Sequence, residues 1–540
     1  MKKIFPAAEI LTITLFALIP LFTAFPYRIN IFLSWEGAYR MANGDLPYRD
    51  FGMPVGYMYW VIPALFFKVF GAQLITLIKA QAFINIVAGL AFRSILISLK
   101  VPQPIRFAGI LLFVLSYSFP NYWPWYNHSV IVYELLALAC LFRYFTGTNS
   151  RFSYLFLVLS GVFTFISFFT KQDGGALGLL ICLALLGYEA ILEKKVIPLA
   201  TYIIAVAATG LVLILPVSGY GLSYWFNHGQ APHSSRVSVS DILAAFLNGS
   251  TWIKFYLFLI ILVLVPVFRN FKETWKHKEN MLFTLLTLGI LAEAAIFQVT
   301  SYVPEDNNIF FHSFAFVFIF SALTRYIPVT LNQLSYGLLI TAGVLLWWSP
   351  SYWKYIQRFV LAPQGQEMTY MTHGGYRYGT VVNKNTFMIE LDTTDIPLSE
   401  WRIPQYKSFQ KIMVPGSTAD GIDRLMNDST IRNKPGIKVL NMSELTPLAA
   451  ELPFELEKGP DYPLWFHKGV AVFDKETDMF VDRINSNYYD LVLYEYIPYL
   501  NNFYPYQVRE ALMKKYNRVD TFVAPRKPTM HAWVEVYKRR

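Results

Sequence analysis

The chain has 540 residues, of which 55% are hydrophobic, 17% aromatic and only 15% charged, and its formal net charge is +10. Repeated apolar runs long enough to cross a bilayer exclude an ordinary soluble protein. The basic residues lie in short loops between these runs without a nucleic-acid-binding motif, so they orient a membrane protein and exclude nucleic acid as a partner. Cys140 and Cys182 both fall in apolar runs, which predicts neither a disulfide nor a cysteine-based metal site.

The first apolar run follows Lys2 and Lys3 and is not followed by a small-residue cleavage site. We therefore expect an uncleaved transmembrane helix with a cytoplasmic N-terminus. In chain order, the predicted spans are 8–27, 74–98, 105–119, 129–146, 152–170, 175–192, 196–216, 252–268, 281–299, 309–324 and 329–348.

The apolar stretch 57–70 decides the topology. It is short, is broken by Pro63 and carries Lys68, which favours a helix lying flat in the interface. In that arrangement the basic loops all face the cytoplasm, and Arg236 is the only Lys or Arg in the outer loops, 120–128, 217–250 and 300–308. A spanning 57–70 would invert this pattern. We therefore predict about eleven transmembrane helices in the inner (plasma) membrane.

The chain becomes more polar after residue 350. Four β-rich runs are predicted at 437–440, 470–473, 490–495 and 533–537, and helices near 418–427, 443–451 and 505–516. This alternation indicates a soluble α/β domain over 351–540, on the outer (periplasmic) side and joined by an interfacial helix at 351–362. The predicted fold is a polytopic α-helical membrane domain, 1–350 with a first external loop 28–73, followed by this α/β domain.

Five charged residues cluster just after the first span: Glu36, Arg40, Asp45, Arg49 and Asp50. A short helix is predicted over 35–42, capped by Ser34 and ending near Gly44. On this helix Glu36 and Arg40 are four residues apart, so an ordinary ion pair is one explanation. A carboxylate at the lip of a membrane-facing groove, where the dielectric is lower, is also suited to act as a general base.

A second cluster, Lys171-Gln172-Asp173-Gly174-Gly175, lies at the outer end of a predicted span. A lysine ammonium there suits the phosphate of a lipid-linked donor. The alternative is a snorkelling lysine paired with Asp173.

Other polar groups on the predicted outer face are weaker candidates for substrate contacts. His128 follows the aromatic run 122–126, which suits either a sugar or an interfacial belt. Glu305 and Asp306 precede a span, where such residues also serve as caps. The loop 217–250 is a candidate cover over the site. The histidines have no metal-ligand spacing, so no metal site is predicted.

The pattern acid-G-A-Y-x-x-A-x-G-x-x-P-Y-R-D-F, followed by a glycine, an aromatic run and F-x-x-F-G, resembles the first external loop of GT-C glycosyltransferases. The resemblance is to the bacterial relatives of protein O-mannosyltransferases and the lipid A aminoarabinose transferase, and it covers roughly residues 1–350. The residues that carry it are Glu36, Gly37, Ala38, Tyr39, Ala42, Gly44, Pro47, Tyr48, Arg49, Asp50, Phe51, Gly56 and Phe67 through Gly71.

The resemblance implies inverting transfer of a sugar from a polyprenyl-phosphate donor to a glycan, lipid or protein acceptor on the outer membrane face. Glu36 or Asp50 would accept the proton, and Lys171 with Arg49 would bind the donor phosphate. Tyr39, His128, Asp173, Glu305 and Asp306 are further substrate contacts. No cofactor is required, although a divalent cation is compatible with the site. Family members often begin this loop with Asp or an acidic pair, whereas this chain has Trp35 and Glu36.

Two other functional classes compete with this reading. One is a flippase or carrier of lipid-linked sugars, which the expected lack of paired halves and of mid-span charges disfavours. The other is a non-catalytic membrane scaffold, which the single acid at the start of the loop allows.

Overall fold

The computed structural model describes most of the chain. The described residues are 4–22, 24–26, 31–115, 123–147, 151–226, 239–248, 250–269, 271–300, 309–324, 334–347, 396, 398–468, 470, 472–498, 503–525 and 531–540. The predicted interfacial helix at 351–362 and the predicted domain boundary near residue 350 lie outside these residues.

Fifteen α-helices form the described part of residues 4–347. Their bounds are α1 Ile4–Leu18, α2 Ile31–Ala42, α3 Met58–Phe70, α4 Leu74–Ser98, α5 Gln103–Phe113, α6 Tyr126–Thr146, α7 Arg151–Thr170, α8 Gln172–Glu193, α9 Ile197–Ile214, α10 Val239–Asn248, α11 Thr251–Arg269, α12 Phe271–Lys276, α13 Lys278–Thr300, α14 Ile309–Leu323 and α15 Leu334–Trp347.

Seven described helical segments are long and apolar enough to cross a membrane, or eight if the bent pair α10 and α11 is one span. The protein is therefore a polytopic α-helical membrane protein, as the apolar runs predict. Helix α4 has the bounds predicted for its span. Helix α3 contains Pro63 and has 13 residues. At 1.5 Å per residue it is about 20 Å long, shorter than a hydrocarbon core of about 30 Å.

Helix α2 differs from the prediction at its start. It begins at Ile31, not Trp35, so Ser34 lies inside the helix and does not cap it. The side chain of Ser34 instead donates a 2.5 Å hydrogen bond to the carbonyl oxygen of Pro124. The reason is burial: Ile31 and Leu33 are fully covered by the bundle, which favours extending the helix by a turn over apolar residues.

The C-terminal region contains a five-stranded mixed sheet in the order β5-β4-β6-β8-β7. The strands are β4 Ile437–Met442, β5 Phe454–Glu455, β6 Leu491–Tyr496, β7 Tyr516–Val523 and β8 Trp533–Arg539. Strand β6 is parallel to β4 and antiparallel to β8, and it is buried from Leu491 to Glu495. This central position explains the apolar run from Leu491 to Tyr494.

Helices surround this sheet at α16 Gly416–Asn427, α17 Ser429–Arg432, α18 Phe473–Asn485 and α19 Tyr506–Lys515. The strand predicted at 470–473 is wrong, because Phe473 begins α18. The acidic and apolar residues after it form an amphipathic helix with Phe480 and Ile484 buried, which overrides the short apolar run. The segment predicted as a helix near 443–451 forms a 3₁₀ turn, Thr446–Ala450.

Backbone pairing joins the two ends of the chain. Strand β1 Phe25–Pro26 pairs with β3 Ile412–Pro415, which also pairs with β2 Trp401–Arg402. The amide of Gly52 donates to the carbonyl of Tyr462 at 2.7 Å, and the Gly52 carbonyl accepts from the amide of Leu464 at 2.9 Å. The loop after α2 is therefore fastened directly to the C-terminal region.

Candidate active site

Glu36 lies near the middle of α2 with only 10% of its side chain exposed. Its Oε1 accepts a 2.9 Å hydrogen bond from Nε of Arg40, one turn along the helix. Arg40 is buried as well, and its guanidinium lies 4.8 Å from the ring centroid of Tyr462. The ion pair considered from the sequence therefore forms, and it holds the Glu36 carboxylate in one orientation.

Arg40 also connects α2 to the C-terminal region. Its Nη1 donates to the carbonyl oxygen of Glu457 at 2.8 Å and lies 3.5 Å from Oδ2 of Asp45. Asp45 is buried, and Nζ of Lys458 contacts its other oxygen. Glu36 and Asp45 thus both contact Arg40, and Asp45 also contacts Lys458 from the C-terminal region.

Asp50 is hydrogen-bonded on both carboxylate oxygens. Arg49 donates from Nε at 3.0 Å and from Nη2 at 2.5 Å, and the Leu46 amide donates at 2.7 Å. The hydrogen bond from Arg49 holds the pKa of Asp50 below its usual range. A carboxylate with a lowered pKa is a weaker general base. The contacts of Asp50 therefore suit a role in holding the conformation of the loop after α2 better than they suit proton abstraction. The Arg49 side chain remains 41% exposed.

Two cavities lie between α2 and the C-terminal sheet. They enclose about 360 and 500 Å³ of empty space, part of it open to solvent. The wall residues common to both are Glu36, Asn441, Thr446 and Tyr462. The wider cavity adds Ser443 and a set of aromatic side chains, Phe32, Phe466, Phe480, Phe503 and Tyr504. An acid thus faces hydroxyl, amide and aromatic groups across these cavities.

Lys171 directly precedes α8 and has an 11% exposed side chain. Its Nζ donates to both oxygens of Asp173, at 2.7 and 2.8 Å, so the pairing considered from the sequence forms. The ammonium also lies 5.0 Å from the ring centroid of Phe297 and 6.0 Å from that of Tyr126. Aromatic faces around an ammonium stabilise it where water is scarce.

The Lys171 cluster and the loop after α2 lie at the same end of the helical bundle. Gly56 packs against the end of α7 so tightly that a Cβ there would meet the carbonyl oxygen of Phe169 at 1.2 Å. The ring of Tyr126 lies 6.0 Å from Tyr59 on α3 and 6.0 Å from Trp465 of the C-terminal region. Tyr126 therefore contacts the lysine site, the loop helix and the C-terminal region.

The remaining predicted site residues have other surroundings. The hydroxyl of Tyr39 donates to the carbonyl of Ala449 at 3.0 Å, and its ring stacks on Trp35. His128 is fully buried, with its Nε2 3.4 Å from Nε2 of Gln81, so it packs inside the bundle and not on a surface. Glu305 and Asp306 lie outside the described residues, as do residues 227–238 and 249 of the proposed loop cover, which include its histidines.

Sequence reasoning missed the C-terminal half of the site. Asn441, Thr446, Glu457, Lys458 and Tyr462 all contact or line the Glu36 region. They lie about 400 residues from Glu36, and none belongs to a chemical motif. The one usable signal is the turn-forming sequence Lys458-Gly-Pro-Asp-Tyr, which indicates an exposed loop but not its partner.

The expectation of no mid-span charge is wrong. Glu134 lies within α6 and Glu293 within α13, and both are buried in the bundle. Their side chains point between helices. Each is one acid in a long apolar run, so the mean hydropathy of the run does not reveal it. Among the described residues, no group of three or more His, Cys, Asp or Glu side chains is placed to hold a metal ion.

Solved structures with a similar fold include ArnT from Cupriavidus metallidurans in the apo state, with a TM-score of 0.51, 10% identity and coverage of 97% of this chain and 96% of that one. ArnT bound to undecaprenyl phosphate gives 0.48 at 10% identity, covering 98% and 97%. Arabinofuranosyltransferase AftD from Mycobacteria gives 0.49 at 12% identity, covering all of this chain and 40% of that one.

No protein-family model and no curated protein matches the sequence. The likeness to apo ArnT nevertheless extends over almost the whole of both chains, including the C-terminal sheet region. A fold does not by itself assign an activity. What the likeness shows is the architecture: this chain has the GT-C fold.

Proposed function

We propose that this protein is a membrane glycosyltransferase that moves a sugar from a polyprenyl-phosphate-linked donor to an acceptor hydroxyl. The observation that carries the proposal is the position of Glu36, which lines the cavities between α2 and the C-terminal sheet of a chain with the GT-C fold. ArnT, which has a similar fold, binds undecaprenyl phosphate. The polyprenyl phosphate bound by a protein of similar fold and the acid in the cavity of this chain both support sugar transfer.

Glu36 is the general base in this proposal. It lines the cavity, and Arg40 orients its carboxylate, whereas Asp50 is occupied by Arg49 and Leu46. The carboxylate takes the proton of the acceptor hydroxyl while that oxygen forms a bond to the anomeric carbon. The bond from this carbon to the phosphate oxygen breaks, and the electron pair leaves on the phosphate. One such displacement inverts the anomeric configuration.

Lys171 stabilises the departing phosphate. Its ammonium is positioned at this end of the bundle by Asp173 and two aromatic rings, and an arriving phosphate would share it with Asp173. The exposed guanidinium of Arg49 is a second hydrogen-bond donor for the phosphate at the same end of the bundle. Cationic side chains can supply the charge stabilisation for such a leaving group, although a divalent cation is compatible with this site.

An apolar cavity that is partly open is the proposed contact surface for the isoprenoid tail. It lies between α3, α4 and α6 and is lined by Tyr59, Ile62, Phe83, Ile84, Val87, Ser129, Val132, Tyr133 and Leu136. Tyr59 also approaches Tyr126, which faces Lys171. A lipid lying in this cavity would therefore present its phosphate toward the lysine.

The acceptor binds on the opposite side of Glu36 in this scheme. Asn441, Ser443 and Thr446 supply amide and hydroxyl groups, and Tyr462 supplies an aromatic face. The proposed C-terminal domain over 351–540 would thus form the acceptor side of the site on the outer membrane face.

Thiol labelling tests this placement of the C-terminal domain, since both native cysteines are at least partly buried. An Asp461→Cys variant should react with an impermeant maleimide from the periplasmic side only, and labelling only after lysis would contradict it.

The transfer reaction is tested with purified protein, radiolabelled polyprenyl-phosphate sugars and a panel of acceptors. We expect labelled product with an inverted anomeric centre, a loss of about 10²-fold or more in Lys171→Ala, and a smaller loss in Asp50→Asn. Lys100→Ala, which removes an exposed lysine paired with Glu279, is the matched control. Wild-type protein that binds the donor but transfers no sugar would contradict the enzyme assignment.

Transport of a lipid-linked sugar is the second candidate, and one observation favours it. Glu134 and Glu293 place two carboxyl groups inside the bundle, and intramembrane acids are common in proton-coupled carriers. Reconstituted protein that moves labelled lipid between leaflets without forming product would support this candidate over the transferase.

A further inference from the structure

Two buried carboxyl groups meet inside the helical bundle. Glu134 on α6 and Glu293 on α13 are 2% and 1% exposed, and their side chains interact with each other. Both helices pack against α8. The pair takes no part in the proposed sugar transfer, so its presence needs a separate explanation.

No counter-charge accompanies the pair in the described part of the chain. There, none of the four carboxyl oxygens accepts a hydrogen bond from another group. The titratable groups that face the pair are acids or weak acids: Asp173 and Cys182 on α8 and Tyr202 on α9. Basic groups on the neighbouring helices are engaged elsewhere, namely Arg93 with Glu9, Lys79 with the Phe70 ring, His312 with Tyr256, Lys171 with Asp173, and Lys278 with Glu189 and Glu193.

The shape of α8 accommodates the pair. Gly178 faces Glu134, and a Cβ at this position would lie 2.9 Å from Cγ and 3.1 Å from the carboxyl carbon of Glu134. A side chain here would displace the carboxyl group from its place between the helices. Gly178 follows Asp173 by five residues, so the pair lies about 7.5 Å deeper along the helix axis than the Lys171 cluster.

Two ionised carboxylates cannot remain in contact in such a place. Burial removes the water that stabilises each charge, and the second charge adds repulsion with no cation to offset it. One proton between the two groups removes the repulsion and one of the two buried charges, and it forms a charge-assisted O–H···O⁻ hydrogen bond that stabilises the other. We propose that Glu134 and Glu293 form an intramembrane proton-binding site in which the two carboxyl groups share one proton at neutral pH.

Infrared spectroscopy of the intact protein tests this site. At neutral pH we expect a carboxylic-acid C=O stretching band that shifts in D₂O and is absent from the Glu134→Gln/Glu293→Gln double variant. Burial raises the pKa of Glu476 in the C-terminal region to about 8, so Glu476→Gln is the matched control and should remove only its own contribution. An unchanged protonated band in the double variant would overturn the proposal.

The second arm separates a proton from a metal ion. Wild-type protein is titrated at constant pH with Na⁺, Mg²⁺ and Ca²⁺, the hard cations that carboxylates prefer. We expect the C=O band assigned to the pair to persist. Its loss on adding one cation would show that the site binds that ion and would overturn the proton assignment. The same titration of the Glu476→Gln variant, which lacks the Glu476 contribution and keeps the pair, leaves this arm decisive if the double variant does not fold.

Discussion

The junction between α2 and the C-terminal region and the interior of the helical bundle hold buried acids in opposite ways. At the junction, Glu36 and Asp45 each contact a base, and Arg40 joins them to the C-terminal chain. In the bundle, Glu134 and Glu293 meet without a basic partner among the described residues. Fixed charges thus align two parts of the chain at the junction, as Arg93 and Arg106 hold Glu9 inside the bundle, whereas Glu134 and Glu293 face each other.

Removing Arg40 should have the largest effect on folding. Arg40→Ala leaves Glu36 without its base, Asp45 with only Lys458, and the Glu457 carbonyl without a donor. Deleting one partner of a buried ion pair costs about 3–5 kcal/mol, so the free energy of unfolding should fall by that amount. Denaturant unfolding in detergent measures it. The exposed Arg402→Ala, which removes a surface pair with Asp420, is the control, and equal effects of the two would contradict the account.

The bundle pair should respond differently to a neutral amide and to a deletion. Glu293→Gln keeps the shape and can donate a hydrogen bond to the remaining carboxylate, so unfolding at neutral pH should change little. Glu293→Ala leaves Glu134 buried without its partner and should lower the free energy of unfolding by about 1–3 kcal/mol. If Glu293→Gln lowered the free energy of unfolding as much as Glu293→Ala does, the negative charge of Glu293 would be required. That result would contradict a shared proton.

The contact between Tyr224 and Glu476 should give a pH dependence of stability. The Tyr224 hydroxyl donates to Oε1 of Glu476 at 2.5 Å, and burial raises the pKa of Glu476 from 4.5 to about 8. The folded protein therefore retains this proton between about pH 4.5 and 8 while the unfolded chain loses it, so this group's contribution falls as the pH rises through that window. Glu476→Gln should remove this slope in melting temperature, measured from pH 5 to 9. An identical slope in both proteins would contradict it.

Lys458 should have the smallest effect at the junction. Its side chain is 54% exposed, and it contacts Asp45 from the solvent side. Exposed partners contribute little, so Lys458→Ala should lower the free energy of unfolding by less than about 1 kcal/mol. The same unfolding assay used for Arg40→Ala provides the comparison. A loss as large as that of Arg40→Ala would show that Lys458 contributes as much to the alignment as Arg40 does, which would contradict the prediction.

The sequence predicts the membrane architecture well because its signal is local. Apolar runs predict α4 at its observed bounds, and the β-rich runs at 437–440, 490–495 and 533–537 all become strands. The run at 470–473 does not, because four residues cannot separate a strand from a helix start. Spacing alone predicts Ser34 as a cap, whereas tertiary burial of the preceding turn decides where the helix starts.

The site could be predicted only in part, for the same reason. Glu36, Asp50 and Lys171 stand out in sequence as charges beside apolar runs. The preference between Glu36 and Asp50 as the base depends on which carboxylate is occupied, and that requires coordinates. The contact of Arg40 with Glu457 spans 417 residues and has no signal in a single sequence.

The most direct measurement of the central claim is sugar transfer by the Glu36→Gln variant at saturating donor. A lost general base should lower kcat by about 10²–10⁴-fold, while binding of undecaprenyl phosphate stays close to that of the wild type. The amide side chain of this variant can still accept the hydrogen bond of Arg40, and Asp45 still pairs with Arg40, so the free energy of unfolding should fall by less than in Arg40→Ala. Glu279→Gln, an exposed acid at a surface pair, should retain full activity. Full turnover by Glu36→Gln would contradict the proposed site.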